Sequence, residues 1–206
     1  ENKNPPLLFN LAELQNECSR LFKVSPDETL KIVQELYEKK LVTYPRTDAR
    51  VLSTAVAKEI YKNIRGLCSF EPTGAFATEV LENGSYKKIA STRYVNDKQI
   101  TDHYAIIPTG QGLGALKSVS ARSAKVYELI ARRFLSIFYP AAVYKKVSMV
   151  TMMGKERFFS ACKVLDQEGY LKVTNVKKDG EEQKDRNLLI RLQTLKKGSI
   201  LPVKSL

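Results

Sequence analysis

The most informative stretch of this sequence runs from Ser25 to Asp48 and reads SPDETLKIVQELYEKKLVTYPRTD. A serine before a proline, with Glu28 following, is typical of a helix N-terminus, where serine caps the first turn and Pro26 occupies its first position. Apolar side chains then recur at helical spacing. The pair Lys39-Lys40 suits the negative end of the helix dipole. We therefore predict a helix that begins at Pro26 and ends at this pair.

The chain after this helix is predicted to be extended, because a proline restricts the preceding Tyr44 to extended backbone. Residues two apart in an extended segment point the same way, so Tyr44 and Arg46 should share a face. A phenol can attack a phosphodiester, and a guanidinium can hold the phosphate and offset charge in the transition state. Thr47 and Asp48 lie within reach of the same site. The chain has ten tyrosines, so an ordinary surface pair is the competing interpretation.

Capping patterns elsewhere predict that the first two-thirds of the chain are helical. Asn10, Ser53 and Ser120 each precede apolar residues at helical spacing. Gly66 is predicted to end the helix after Ser53, and Pro140 to stop the helix after Ser120.

Beyond Pro140 the apolar period changes from helical to two, which is typical of strands. Residues 143–149 and 157–164 alternate on either side of Gly154, so we predict a β-hairpin that turns there. Further short strands are predicted at residues 169–173, 188–192 and 200–206, and a charged loop at residues 175–187. The predicted fold class is α+β, with a helical domain over residues 1–139 and part of an antiparallel β domain over residues 140–206.

The charge balance indicates a polyanionic partner. The chain has 34 Lys and Arg against 22 Asp and Glu, a formal net charge of +12. Nucleic acid is the first candidate and an anionic membrane surface the second. No stretch approaches the ~20 apolar residues that span a bilayer, so no membrane-spanning segment is predicted. We expect nucleic acid, and no membrane, as the partner.

Residue counts exclude several classes of site. A single histidine excludes an HExxH zinc site and any site that needs two imidazoles. Three widely spaced cysteines, Cys18, Cys68 and Cys162, support neither a disulfide framework nor a zinc ribbon, and favour a reducing intracellular compartment. No carboxylates gather at metal-binding spacing, so we predict no metal site in this chain.

The second motif is TDHYAIIPT, Thr101 to Thr109, which contains the only histidine, His103. Its imidazole could contact a phosphate as a cation or a hydrogen-bond donor. A structural hydrogen bond is the alternative, and for a lone histidine the more common one. The glycines that follow, at positions 110, 112 and 114, lack the Gly-Lys of a Walker loop and a surrounding βαβ unit. We expect a flexible loop there and no small-molecule cofactor.

Taken together, these motifs resemble the type IA DNA topoisomerases. Residues 6–15 are similar to the family's Leu-Gln opening, residues 34–38 to a helix ending in Leu-Tyr-Glu, and residues 43–48 to its Thr-Tyr-x-Arg-Thr-Asp motif. Residues 102–109 resemble its His-x-Ala-Ile-x-Pro-Thr motif, in the form typical of bacterial topoisomerase III. Residues 126–140 resemble the helix that follows. The resemblance covers nearly the whole chain.

The resemblance implies a role for each matched residue. Tyr44 matches the nucleophile that forms a phosphotyrosine bond to the 5′ side of a cut single strand and releases a 3′ hydroxyl. Arg46 matches the arginine that engages the scissile phosphate, and His103 matches a histidine that contacts DNA near the cut. Thr47 and Asp48 match positions that support the site and its DNA binding. The implied activity is transient cleavage of one strand, strand passage and religation, which relaxes or decatenates DNA.

The resemblance also implies what lies outside this chain. In the family, the acidic cluster, the Mg²⁺ site and an essential lysine belong to an N-terminal Toprim domain, and this chain has no Asp-x-Asp signature. We therefore expect a piece of a longer protein, with Mg²⁺ held by the absent Toprim domain and no cofactor here. Residues 1–139 would be the lid that carries the tyrosine, and residues 140–206 part of the β hinge. We expect a monomer in the bacterial cytoplasm, at the nucleoid or a plasmid, that alone binds single-stranded DNA without cleaving it.

Two alternatives come from other classes. A tyrosine recombinase would place a His-x-x-Arg before its nucleophile, whereas here His103 follows Tyr44 and Ile106 stands where the arginine should be. A non-catalytic, basic nucleic-acid-binding module would use Tyr44 to stack on a base instead of attacking a phosphate.

Overall fold

The computed structural model describes residues 1–174, 190, 192, 194–196 and 198–200. Its mixture of helices with one antiparallel sheet confirms the predicted α+β class. The helices are α1 (Leu11–Phe22), α2 (Pro26–Glu38), α3 (Thr54–Leu67), α4 (Gly74–Asn83), α5 (Ala121–Ser136) and α6 (Leu171–Thr174). The strands are β1 (Asn2–Lys3), β2 (Ala142–Met153) and β3 (Glu156–Gln167), and three short 3₁₀ segments cover Ser85–Ser91, Asp97–Gln99 and Leu113–Ser118.

Side-chain capping starts four of the helices at the predicted residues. In each case an oxygen of the capping side chain accepts a hydrogen bond from a free backbone N–H in the first turn. The capping residues are Asn10 for α1, Ser25 for α2, Ser53 for α3 and Ser120 for α5. Helix α2 has Pro26 at its first position and ends at Glu38, with Lys39 as C-cap, as predicted.

The predicted end of α3 at Gly66 is wrong, because the helix continues to Leu67. The glycine has a packing role instead. A Cβ built on Gly66 would lie 1.8 Å from the carbonyl oxygen of Gly110. The two backbones are therefore in contact at a distance that no side chain permits.

The strand predicted at residues 169–173 is also wrong, because Leu171–Thr174 forms the short helix α6. Tertiary contacts outweigh the local β propensity here. The N–H of Tyr170 donates to the Pro140 carbonyl at 2.9 Å, and Val173 is fully buried. An Arg132 N–H of α5 donates to the Val173 carbonyl at 2.8 Å.

One compact unit comprises residues 4–140 with residues 170–174. In it α1 packs on α2, α3 on α4, and α2 and α6 on α5. Isolated bridges pair extended segments of this unit, between Phe9 and Ile106, Val42 and Pro108, and Leu52 and Val95. Phe9, Ile106 and Leu52 are almost completely buried, so these bridges form part of the core.

The other unit contains Glu1–Lys3, Ala141–Gly169 and the described residues after 189. It holds the predicted hairpin, in which β2 and β3 pair antiparallel from Tyr144 with Leu165 to Met153 with Glu156. Gly154 lies in the turn at φ 62°, as predicted. Strand β1 adds a short third strand beside Ala142 and Val143, which the sequence does not predict.

Several expectations stay predictions. The division into domains at residues 139 and 140 is one of them. The loop predicted at residues 175–187 and the strands at residues 188–192 and 200–206 lie wholly or mostly outside the described residues. Among the residues that are described, none of the helices has the length and apolarity needed to cross a bilayer.

The cap of α2 yields a prediction about stability. Changing Ser25 to Ala removes the oxygen that accepts the Glu28 N–H at 3.2 Å. We expect the free energy of unfolding to fall by about 1 kcal/mol, measured by urea denaturation.

Thr73→Val is the comparison variant. Thr73 precedes α4 without a side-chain cap hydrogen bond, and its buried hydroxyl has no partner in the described part of the chain. Replacing it by an apolar group of the same shape should be neutral or stabilising. Equal losses in the two variants would contradict the assignment of the cap.

Candidate active site

Hydrogen bonds between two extended segments hold the backbone in front of Tyr44. The Thr43 N–H donates to the Ile107 carbonyl at 3.0 Å, and the Thr109 N–H donates to the Leu41 carbonyl at 3.0 Å. The Thr43 hydroxyl donates to the Ala105 carbonyl and accepts from the Ile107 N–H, both at 3.0 Å. The chain therefore reaches Tyr44 from a fixed direction.

This pairing brings together the two residues that carry the sequence motifs. The ring centroids of Tyr44 and His103 are 4.3 Å apart, with the rings tilted by 40°. Tyr37 of α2 lies on Tyr44 edge to face, at 5.5 Å and 83°, a favourable aromatic arrangement. His103 is exposed and Tyr44 is partly exposed, so both rings are accessible from solvent.

The two rings line an open cleft of about 510 Å³. Its other lining residues are Tyr37, Glu38, Lys40, Val42, Thr43, Tyr104 and Thr109. Burial raises the pKa of the Tyr104 phenol, which keeps this hydroxyl protonated. In the described part of the chain no hydrogen bond occupies the Tyr44 hydroxyl. The same holds for Tyr37, which is 40% exposed, so accessibility alone does not distinguish these two phenols of the cleft.

Arg46 and Tyr44 both contact helix α2. Its Nη2 donates to the side-chain oxygen of Gln34 on α2 at 3.4 Å. Because Gln34 and Tyr37 are three residues apart, they lie on one face of α2. Tyr44 and Arg46 therefore contact the same helix face, although Arg46 is not among the residues that line the cleft, and their common face on the extended segment stays a prediction. Arg46 is exposed, and a guanidinium has five N–H donors, so most remain available to an anion.

Thr47 and Asp48 occupy different environments. Thr47 is buried, and its hydroxyl donates to the His103 carbonyl at 2.8 Å and accepts from the Ala49 N–H at 3.1 Å. The described contacts of Thr47 thus position His103. Asp48 is exposed, and its backbone carbonyl accepts from the Asn10 side chain at 3.1 Å. Direct DNA contact by either residue stays a prediction.

Sequence analysis does not single out Tyr37 or Gln34 as site residues. They are ordinary members of a helix, and only the tertiary structure shows that their shared face meets Tyr44 and Arg46. The position of Tyr37 in the Leu-Tyr-Glu motif is the signal that could have drawn attention to it. Within the described residues, no three or more His, Cys, Asp or Glu side chains are grouped so that they could hold a metal ion.

Comparisons with known proteins identify the family to which this chain is similar. The chain matches the family described as DNA topoisomerase over residues 1–206. It is 36% identical over 204 residues to DNA topoisomerase 3 of Bacillus subtilis and 37% identical over 204 residues to DNA topoisomerase 3 of Bacillus licheniformis. The solved structure of full-length topoisomerase I from Thermotoga maritima is also similar, with a TM-score of 0.58 and 25% identity over 87% of this chain.

These matches differ in how much of each protein they cover. The two Bacillus alignments cover 98% of this chain but 27% of each relative's length. The structural match covers 28% of the Thermotoga protein. The chain thus spans about a quarter of the curated relatives that it matches.

The role of Thr47 can be tested by changing it to Val, which keeps the shape and removes the hydroxyl. The His103 carbonyl and the Ala49 N–H then lose their partner, so we expect the free energy of unfolding to fall by about 1–3 kcal/mol. His103 is the only histidine, so its imidazole C–H NMR signals can be assigned directly, and they should shift.

Thr54→Val is the matched control. Thr54 is exposed, and its hydroxyl bonds to Asp97 at 2.6 Å on the surface. We expect a change within about 0.5 kcal/mol and an unmoved imidazole signal. An unmoved signal in Thr47→Val as well would refute the positioning role.

Proposed function

This chain belongs to the type IA DNA topoisomerase family, and from that membership we propose that Tyr44 is the nucleophile with which the enzyme opens one DNA strand. The proposal rests on one observation above all. The phenol of Tyr44 and the imidazole of His103 meet at 4.3 Å in a solvent-open cleft, on backbone held by hydrogen bonds. The relatives' printed names state the activity of topoisomerases, and we extend it here to this part of the protein.

The proposed reaction exchanges one phosphodiester for another. The Tyr44 oxygen forms a bond to phosphorus while the bond from phosphorus to the 3′ oxygen breaks. The phenol loses its proton and the 3′ oxygen gains one, so a 3′ hydroxyl leaves and the 5′ phosphate stays on Tyr44. No redox change and no nucleotide hydrolysis are required. Attack of the 3′ hydroxyl on the phosphotyrosine reverses the reaction and reseals the strand.

Arg46 and His103 are proposed to act on the phosphate. Arg46 carries a permanent positive charge with free N–H donors, which suits a phosphate that gains charge in the transition state. His103 contacts DNA beside the cut through a hydrogen bond or its charge. The contact of His103 with the phenol ring, and that of Arg46 with the helix face that Tyr44 also contacts, support these roles.

The remaining parts of the proposal concern the whole protein. Among the described residues no group of three or more His, Cys, Asp or Glu could hold a metal ion, and the Mg²⁺ of the intact enzyme is proposed to be held by its Toprim domain. The substrate is proposed to be single-stranded DNA, which this chain alone would bind without cleaving it. The whole protein would act as a monomer in the bacterial cytoplasm, at the nucleoid or a plasmid. Strand passage and religation would then relax or decatenate DNA.

The test of the nucleophile uses the full-length protein. It is mixed with a 3′-end-labelled single-stranded oligonucleotide and Mg²⁺, quenched with denaturant and run on a denaturing gel. We expect labelled protein with the wild type and none with Tyr44→Phe, because phenylalanine lacks the attacking oxygen. A 3′ label on the protein also identifies the 5′ phosphate as the linked end.

Tyr37→Phe is the matched control, since Tyr37 lies in the same cleft 5.5 Å from Tyr44. It should keep the labelled product. Label that survives in Tyr44→Phe but disappears in Tyr37→Phe would move the nucleophile to Tyr37. DNA binding without label in the wild type would support the non-catalytic binding module instead.

A further inference from the structure

Lys40 has an unusual backbone conformation beside the cleft. It follows α2 at φ 60°, in the left-handed region, where a side chain strains the backbone and glycine is the common residue. The conformation is held from two sides. The Lys40 N–H donates to the Tyr37 carbonyl at 2.8 Å, and the Thr109 hydroxyl donates to the Lys40 carbonyl at 2.6 Å.

Lys40 also lines the cleft that contains Tyr44 and His103, and it is exposed. In the described part of the chain its ammonium group has no hydrogen bond or ion pair. The adjacent Lys39, in contrast, donates to the Ser118 hydroxyl at 3.4 Å. The cleft wall also includes the carboxylate of Glu38, which repels an anion. A cation at Lys40 would offset that repulsion.

We propose that Lys40 binds a DNA phosphate next to the one that Tyr44 attacks, an inference that rests on the proposed function. Four residues of extended chain span at most ~14 Å, which allows the two side chains to engage neighbouring phosphates of one strand. An ammonium group pairs with a phosphate as a point charge and needs no fixed geometry. Lys40 and Tyr44 line the same cleft, so a strand bound there would pass both residues.

A simpler role for Lys40 is to complement the negative end of the α2 dipole. This role involves no DNA, so a lysine that caps another helix away from the cleft can distinguish it from phosphate binding. Lys23 provides it, because Lys23 is the C-cap of α1, with a left-handed backbone at φ 56°. Its ammonium donates to the Arg20 carbonyl at 3.3 Å, and Lys23 does not line the cleft.

The experiment measures binding of a fluorescent single-stranded oligonucleotide to the full-length protein by anisotropy at several salt concentrations. Lys40→Gln and Lys23→Gln each remove one charge and keep a long side chain. Loss of one phosphate contact should lower affinity about fivefold at about 0.1 M salt and reduce the log–log salt slope by about 0.7. We expect this change for Lys40→Gln and wild-type binding for Lys23→Gln.

Lys40→Gly and Lys23→Gly separate binding from backbone strain. Both relieve the left-handed strain, so neither should lower the thermal unfolding temperature, but only Lys40→Gly should weaken DNA binding. Wild-type affinity and slope in Lys40→Gln would overturn the proposal. An equal loss in Lys23→Gln would also overturn it, since only net charge would then matter.

The covalent-label assay distinguishes this inference from the proposed function. If Tyr44→Phe abolishes the label while Lys40→Gln binds like the wild type, the Lys40 inference alone fails. If Tyr44→Phe keeps the label, the proposed function fails, and the Lys40 inference fails with it.

Discussion

The pairing of residues 41–43 with residues 105–109 is the constraint on which the candidate site depends. Closing the long loop between these segments costs conformational entropy, although the cost grows only slowly with loop length. Burial of Val42 and Ile107 offsets part of it. The hydroxyl of Thr43 bonds to two residues of the opposite segment and so holds both together. Tyr44 and His103 lie just beyond the ends of this pairing, which is why their rings meet.

The site separates residues that maintain geometry from residues that are available for chemistry. Thr47 uses both capacities of its buried hydroxyl on backbone groups, and Asn10 caps α1 while also donating to the Asp48 carbonyl. Tyr44 and His103, in contrast, are open to solvent. Buried polar groups with satisfied hydrogen bonds give a rigid frame, and the exposed groups on that frame stay free to bind a substrate.

Local sequence signals predict α1, α2, α3 and α5, because a cap such as Ser25 or Ser120 depends on residues only three positions away. Helix α4 is not predicted, since it begins without a side-chain cap hydrogen bond. The contact of Tyr44 with His103 depends on the pairing of residues 41–43 with residues 105–109, which are far apart in the sequence. Local sequence patterns do not predict such a pairing, and only the family resemblance associates the two motifs. Tyr37 is not predicted for the same reason, since an exposed tyrosine near a helix end has no local signature of contact. The helix Leu171–Thr174 is not predicted because its packing on α5 overrides a strand-like sequence.

The contact between Gly66 and Gly110 connects the far side of α3 to the cleft. A Cβ added to Gly66 would displace the backbone of Gly110. The adjacent Thr109 donates hydrogen bonds to the carbonyls of Lys40 and Leu41. We expect a displacement at the helix to be transmitted through Thr109 to the segment that carries Tyr44. Because neither glycine has a side chain, the two backbones touch directly. The alignment of the site therefore depends on how closely these two residues pack.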